Sequence, residues 1–130
     1  MSDEGKVFLE RWHKIVAQKD EAGLNEILAE DITMGAPPYW TKLETKPVVA
    51  RLLGIIVNTI EDFTYHREWI DGRELALEFT GRIGDNKLQG IDLITLNGDG
   101  EVQNLDVMIR PMNSLTKLAA TVQKKMMEAA

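Results

Sequence analysis

Three observations predict an α+β fold, in which a cone-shaped, curved antiparallel sheet packs against N-terminal helices and is followed by a C-terminal helix. Apolar residues recur at helical spacing through the first part of the chain, up to Ile60. From Asp62 to Arg110 the spacing changes to alternation, interrupted only by turn-forming pairs. Helical spacing then returns after Asn113.

Ser2 caps a first helix with Asp3 and Glu4 in its first turn, and Val7, Phe8, Trp12, Ile15 and Val16 follow on one face. His13 falls on the flank of that helix, at the surface or rim. Asp20 restarts a short helix through Leu24, Ile27 and Leu28, and a short first strand runs from Asp31 to Met34. The paired prolines of Gly35-Ala36-Pro37-Pro38-Tyr39-Trp40 exclude both helix and central strand, so a loop belongs there. Thr45-Lys46-Pro47 opens a third helix whose Val48, Val49, Leu52, Leu53, Ile56, Val57 and Ile60 are apolar around most of the circumference, which predicts deep packing. Four strands follow, approximately 62–70, 74–84, 87–97 and 101–110, joined at Asp71-Gly72, Asp85-Asn86 and Asn97-Gly98-Asp99-Gly100 into an antiparallel meander. Asn113 caps the last helix, with Leu115, Leu118, Ala119, Val122 and Met126 along one stripe.

The chain of 130 residues is long enough for one domain, 1–130, with its own core. A net charge of −6 with scattered basic residues argues against a phosphate-backbone partner, so nucleic acid is not expected. Absence of cysteine excludes disulfides and thiolate chemistry and fits the cytoplasm. No apolar run reaches membrane-spanning length, and Met1-Ser2-Asp3-Glu4 has the wrong charge for a signal peptide. Neither a glycine-rich phosphate loop nor a metal-ligand constellation is present, and no cofactor is implied.

Asp92 stands out against this pattern. With Asp85-Asn86 as the turn, Phe79 lies across from Asp92, Leu77 from Ile94 and Gly81 from Gly90, and Asp92 is the one charged residue on a face built of Leu75, Leu77, Phe79, Ile83, Leu88, Ile94 and Leu96. The opposed Gly81 and Gly90 leave that face open for a bend or a cavity. A carboxyl placed there either has its pKa raised by burial, by up to roughly 3 to 5 units, and serves near neutral pH as a donor or general acid, or is bonded to a core partner such as the Trp12 indole or a nearby arginine with no ligand involved. A four-residue loop at Asn97 to Gly100 adds Leu105, Val107 and Ile109 to the same face and sends Asp106 and Arg110 outward. For the preceding strand two registers stay open. One turns Thr64, His66, Glu68 and Ile70 inward, and the other Phe63, Tyr65, Arg67 and Trp69. With His66 inward, His66 and Asp92 form a base/acid pair. The expected walls are Met34, Ala36, Leu52, Leu53, Leu77, Phe79, Ile94, Leu105, Val107 and Ile109, with Tyr39 and Trp40 either at the mouth or folded onto the core. Apolar Ile91 and Leu93 on the outer face predict covering by a second copy, a homodimer.

The order of elements, and Gly90-Ile91-Asp92-Leu93-Ile94-Thr95-Leu96-Asn97-Gly98-Asp99-Gly100-Glu101-Val102 in particular, resembles the nuclear-transport-factor-two-like superfamily, which includes ketosteroid isomerases, SnoaL-type polyketide cyclases and limonene epoxide hydrolases. The resemblance implies a cystatin-like cone and puts Asp92 on the position that donates a hydrogen bond to the substrate oxyanion in the isomerases. The isomerase base falls within a segment resembling Ala29-Glu30-Asp31-Ile32-Thr33-Met34-Gly35-Ala36-Pro37, where Ala36 takes its place. Trp12 corresponds to the helix-one tyrosine of the oxyanion hole, and its indole donates but does not titrate. The epoxide-hydrolase pattern of two aspartates bridged by an arginine has no counterpart near Asp92. What the resemblance implies is therefore a hydrophobic pocket for an apolar carbonyl-bearing compound, in an isomerase, cyclase or hydratase with Asp92 and Trp12 as catalytic residues, to which the inward register of the preceding strand would add His66. The alternative is a non-catalytic ligand-binding or homodimerisation module of the same fold.

Overall fold

The structure, a computed structural model, describes residues Asp3 to Glu128; the expected cap Ser2 lies outside the described residues. Helix α1 (Glu4–Gln18) begins after Asp3, whose side chain makes no capping bond, and stops at Lys19, which adopts a left-handed conformation and sends its N–H back to Ile15 and Val16. Helix α2 (Glu21–Ile27) is capped by Asp20, whose carboxylate accepts from the Gly23 N–H at 3.0 Å. Strand β1 (Leu28–Gly35) starts where the helix ends, so Leu28 belongs to the strand and not to the helix. A two-residue strand β2 (Leu43–Glu44), too short to read from alternation, precedes helix α3 (Lys46–Thr59) with Pro47 in its first turn. The meander is β3 (Glu61–Asp71), β4 (Glu74–Ile83), β5 (Asn86–Leu96) and β6 (Val102–Arg110), and helix α4 (Met112–Glu128) closes the chain. Asn113 lies inside the first turn of α4 and not at its cap; the Pro111 carbonyl accepts the first helical bond, from Leu115.

The sheet has six strands in the order β2-β1-β6-β5-β4-β3, curved and unclosed. Its long-range feature is the parallel pairing of β1 with β6, which brings the two halves of the chain together; β2 extends the edge by pairing antiparallel with β1. The remaining pairs form the antiparallel meander.

The β4–β5 hairpin turns at Gly84-Asp85, with Gly84 at a positive φ of 60°, and not at Asp85-Asn86. Phe79 therefore faces Gly90, Leu77 faces Asp92 and Leu75 faces Ile94. Gly81 and Gly90 are consequently not opposed. Because the displacement is two residues and side chains alternate with period two, every residue keeps its predicted face. The same holds for β6: Val107 faces Asp92 and Leu105 faces Ile94.

Strand β3 reconciles the two open registers. Tyr65 pairs with Phe79 but Glu68 pairs with Leu77, so one extra residue is accommodated between them. This bulge turns Phe63 and Tyr65 inward before it, and Glu68 and Ile70 to that same side after it. His66 and Arg67 are left on the outer surface. Helices α1, α3 and α4 cover the concave face, and the core between them includes Phe8, Trp12, Leu52, Leu53, Leu77, Phe79, Ile94 and Leu118.

Candidate functional site

The concave face and its helices enclose a cavity of about 240 Å³. Its sheet side carries Phe63, Tyr65, Phe79, Asp92, Leu105, Val107 and Ile109; α1 supplies Trp12 and Val16; α3 supplies Leu52, Leu53, Ile56 and Val57; α4 supplies Leu115, Leu118, Val122 and Met126. Ala36, Pro37 and Tyr39 of the proline loop complete the wall. Tyr39, Val48 and Gln123 line the cavity and are also exposed, which marks where it meets solvent.

Among the described lining residues Asp92 is the one carboxyl. Its position follows from β5, where alternation directs it inward between Gly90 and Ile94, and only 6% of its surface is accessible. Tyr65 Oη donates to Asp92 Oδ2 at 2.9 Å, and Trp12 Nε1 donates to Tyr65 Oη at 2.8 Å. Both donors are therefore engaged within the protein. Asp92 Oδ1 has no protein partner among the described residues, yet no enclosed side-chain polar atom lacks one, so this oxygen borders the cavity space.

Burial pushes the Asp92 carboxyl up from 3.8 to about 7, because the ionised form loses its hydration; the Tyr65 hydrogen bond acts in the opposite direction without cancelling it. Tyr65 is raised well above 10, first by its own burial and then by the neighbouring Asp92 charge, so the phenol keeps its proton and remains a donor. The site thus presents one titratable atom pair, neutral on the acid side of about pH 7 and ionised above it.

Beside this chain lies a second polar pair. His13 Nε2 is 2.6 Å from Glu68 Oε2, and the His13 ring packs on Tyr65 with centroids 5.6 Å apart. His13 is thus partly buried against the network, and the β3 bulge is what turns Glu68 toward it.

The structure redistributes the residues singled out from sequence. Asp92 and Trp12 are joined, but through Tyr65, which sequence reasoning left as one side of an open alternative. His66 is not with them: it is exposed on the outer face, its Nε2 2.7 Å from Thr80 Oγ1, because the bulge begins immediately after Tyr65. It therefore cannot pair with Asp92 as a base. Ala36, Tyr39, Leu52, Leu53, Phe79, Leu105, Val107 and Ile109 line the cavity. Met34, Leu77 and Ile94 do not; each is at most 1% accessible, sealed in the core by its sheet neighbours. Trp40 is 97% exposed and turns away from the cavity, since the loop reverses at Tyr39, whose N–H bonds the Ala36 carbonyl. The only signal that pointed to Tyr65 was the change of alternation phase along β3, apolar at Phe63 and Tyr65 and then at Ile70.

No family model matches the chain, and no curated protein matches it. Solved structures do. A steroid delta-isomerase from Pseudomonas aeruginosa superposes with a TM-score of 0.93 at 32% identity, over 99% of this chain and 96% of that one. A cystatin-like protein from Silicibacter pomeroyi superposes with a TM-score of 0.88 at 32% identity, over 92% of this chain and 85% of that one. A nuclear-transport-factor-two-like protein from Mesorhizobium loti shares the fold at a TM-score of 0.74 and 16% identity, over 85% and 93% of the two chains. With its α+β cone of cystatin-like type, the chain belongs to the nuclear-transport-factor-two-like superfamily. Within it, the Pseudomonas aeruginosa similarity extends over nearly the full length of both chains.

Proposed function

We propose that the protein binds an apolar, carbonyl-bearing small molecule in the cavity and polarises it through Asp92, as an isomerase, cyclase or hydratase would. One observation carries this reading: among the described residues Asp92 Oδ1 is a polar atom without a protein partner, in a wall that is apolar away from Tyr39 and Gln123 at the mouth. A neutral carboxyl there donates its O–H to a carbonyl oxygen and stabilises negative charge developing on it, in surroundings where water screens little. Trp12 and Tyr65 act as positioning residues that hold Oδ2 and leave Oδ1 for the ligand. The 32% identity to a steroid delta-isomerase supports a cyclic carbonyl compound as the ligand class.

A second reading, a binding module without turnover, is favoured by the wall itself. Ala36 contributes no base and His66 lies outside, so the described lining offers one acid and no second titratable group suited to take a proton from carbon. For assembly, the outer face supports a homodimer: Met108 and Trp69 are 53% and 51% accessible there, beside Ile91 and Leu93. The cysteine-free composition supports the cytoplasm as its compartment.

The test is the pH dependence of affinity for a hydrophobic cyclic enone. Binding requires the proton on Asp92, so affinity should be constant below about pH 7 and fall by up to about tenfold per pH unit above it. Asp92→Leu should weaken binding and remove the dependence. An affinity that is flat with pH and unchanged in Asp92→Leu refutes the assignment. Deuterium uptake at the enone α′ or γ carbon, catalysed only in the presence of the protein, distinguishes an enzyme from a binding module. Sedimentation of Met108→Glu against wild type tests the dimer, which that substitution should dissociate.

A further inference from the structure

We infer that the ligand of this cavity is a flat, conjugated molecule of one or two fused rings, on the order of ten non-hydrogen atoms, with a single oxygen at its inner end. The inference deepens the reading above and rests on it. It stands on the dimensions of the cavity and on which of its polar atoms remain available.

A cavity of ~150 Å³ accepts benzene, so 240 Å³ encloses about one and a half such rings, and a four-ring ligand would have to extend past Tyr39, Val48 and Gln123 into solvent. The enclosing surfaces are not free to spread. Helix α4 forms the roof with Leu118, Val122 and Met126, and it is fastened at both ends. At its start the buried Ser114 Oγ donates to the Lys87 carbonyl at 2.6 Å. Near its end Lys125 Nζ donates to Thr59 Oγ1 at 2.9 Å, and the Arg51 guanidinium donates to the Met126 carbonyl.

The sheet side of the cavity is aromatic. Phe63 stacks on Phe79 with centroids 4.8 Å apart, and Tyr65 meets Phe63 edge-on. These rings are supported by one another and by Gly90, where a Cβ would come within 2.4 Å of the Phe79 ring. An aromatic cluster on the sheet side and the branched side chains of Leu118 and Val122 on α4 suit a planar ring system between them. At the inner end the Trp12 indole and Tyr65 hydroxyl donate within the protein, which leaves Asp92 Oδ1 to meet the ligand. At the inner end one available atom selects one ligand oxygen, since a second polar group at that depth would be left without a partner; the Tyr39 hydroxyl and Gln123 amide lie at the mouth.

A ladder of enones tests this by calorimetry: cyclohexenone, a two-ring enone and a four-ring steroid enone, each measured below and above pH 7. The expected order places the two-ring compound about tenfold tighter than cyclohexenone and at least about tenfold tighter than the steroid. Trimming the roof with Met126→Ala, and separately Val122→Ala, should improve steroid affinity by about tenfold without improving the two-ring compound. A steroid bound by the wild-type protein as tightly as the two-ring enone overturns the size assignment, whatever the variants do. A two-ring preference that persists without pH dependence keeps the size assignment and removes the role of Asp92. Failure of all three compounds to bind removes both.

Discussion

Replacing Asp92 by Asn should make the folded protein more stable at alkaline pH than the wild type, by an amount that depends on pH in a defined way. Burial raises this carboxyl from 3.8 to about 7. Below pH 3.8 it is protonated in both folded and unfolded chains and adds no pH-dependent cost. Between 3.8 and about 7 the unfolded chain releases a proton that the folded protein keeps, so stability falls as pH rises, by up to ~1.4 kcal/mol per unit. Above about pH 7 both states are ionised and the loss levels off at roughly 4 kcal/mol, a large share of the ~5 to 15 kcal/mol available to a domain. Asparagine keeps the shape and does not titrate. The wild-type value minus that of Asp92→Asn therefore isolates this group, while the other acids cancel. Urea unfolding at half-unit intervals from about pH 4 to 9 measures the difference, which should drop by roughly 3 to 4 kcal/mol and then plateau. A difference constant to within ~1 kcal/mol across that range would show a carboxyl in contact with bulk water and would remove the basis for its role in the cavity.

Other perturbations have separate signatures. Tyr65→Phe removes the donor that lowers the Asp92 pKa, so the carboxyl should titrate above about 7 by carbon-detected NMR; the stranded Trp12 N–H should cost about 1 to 3 kcal/mol of stability by urea unfolding. Gly90→Ala places a Cβ 2.4 Å from Phe79 Cζ and 2.6 Å from the Met108 carbonyl oxygen, which should cost about 1 to 3 kcal/mol in the unfolding midpoint and weaken ligand binding through the displaced ring. His66→Ala should leave enone affinity unchanged and stability within ~0.5 kcal/mol, since the imidazole contacts Thr80 on the outer face; a tenfold affinity loss would contradict that placement. Glu78 is held at about 2, first by its hydrogen bonds from Arg67, so its contribution is present above 4.5 and lost as pH falls through about 2; Glu78→Gln should flatten the acid limb of the stability profile.

The inward direction of Asp92 survived an error in the predicted turn. Moving the turn from Asp85-Asn86 to Gly84-Asp85 shifted the partner of Asp92 from Phe79 to Leu77 and left its face unchanged, because two residues are one full period of a strand. The same parity kept Leu105, Val107 and Ile109 beside it. In β3 parity itself breaks: one extra residue between Tyr65 and Glu68 moves His66 out and brings Tyr65 in. The change of alternation phase between Tyr65 and Ile70 is compatible with that bulge but does not place it, since His66, Arg67 and Trp69 are all acceptable on either face of a strand. It is settled by what the interior can satisfy, a phenol between an indole and a carboxyl.

By itself, then, the chain determined the succession of helices and strands apart from the two-residue β2, the α+β class and the burial of one acid, all of which follow from local periodicity. The parallel pairing of β1 with β6, the insertion of Tyr65 between Trp12 and Asp92, and the closing of the cavity by α4 were decided only in three dimensions. Each of these joins segments far apart in the chain, and such contacts depend on packing and hydrogen-bond satisfaction across the whole core. Periodicity along one segment carries no record of them.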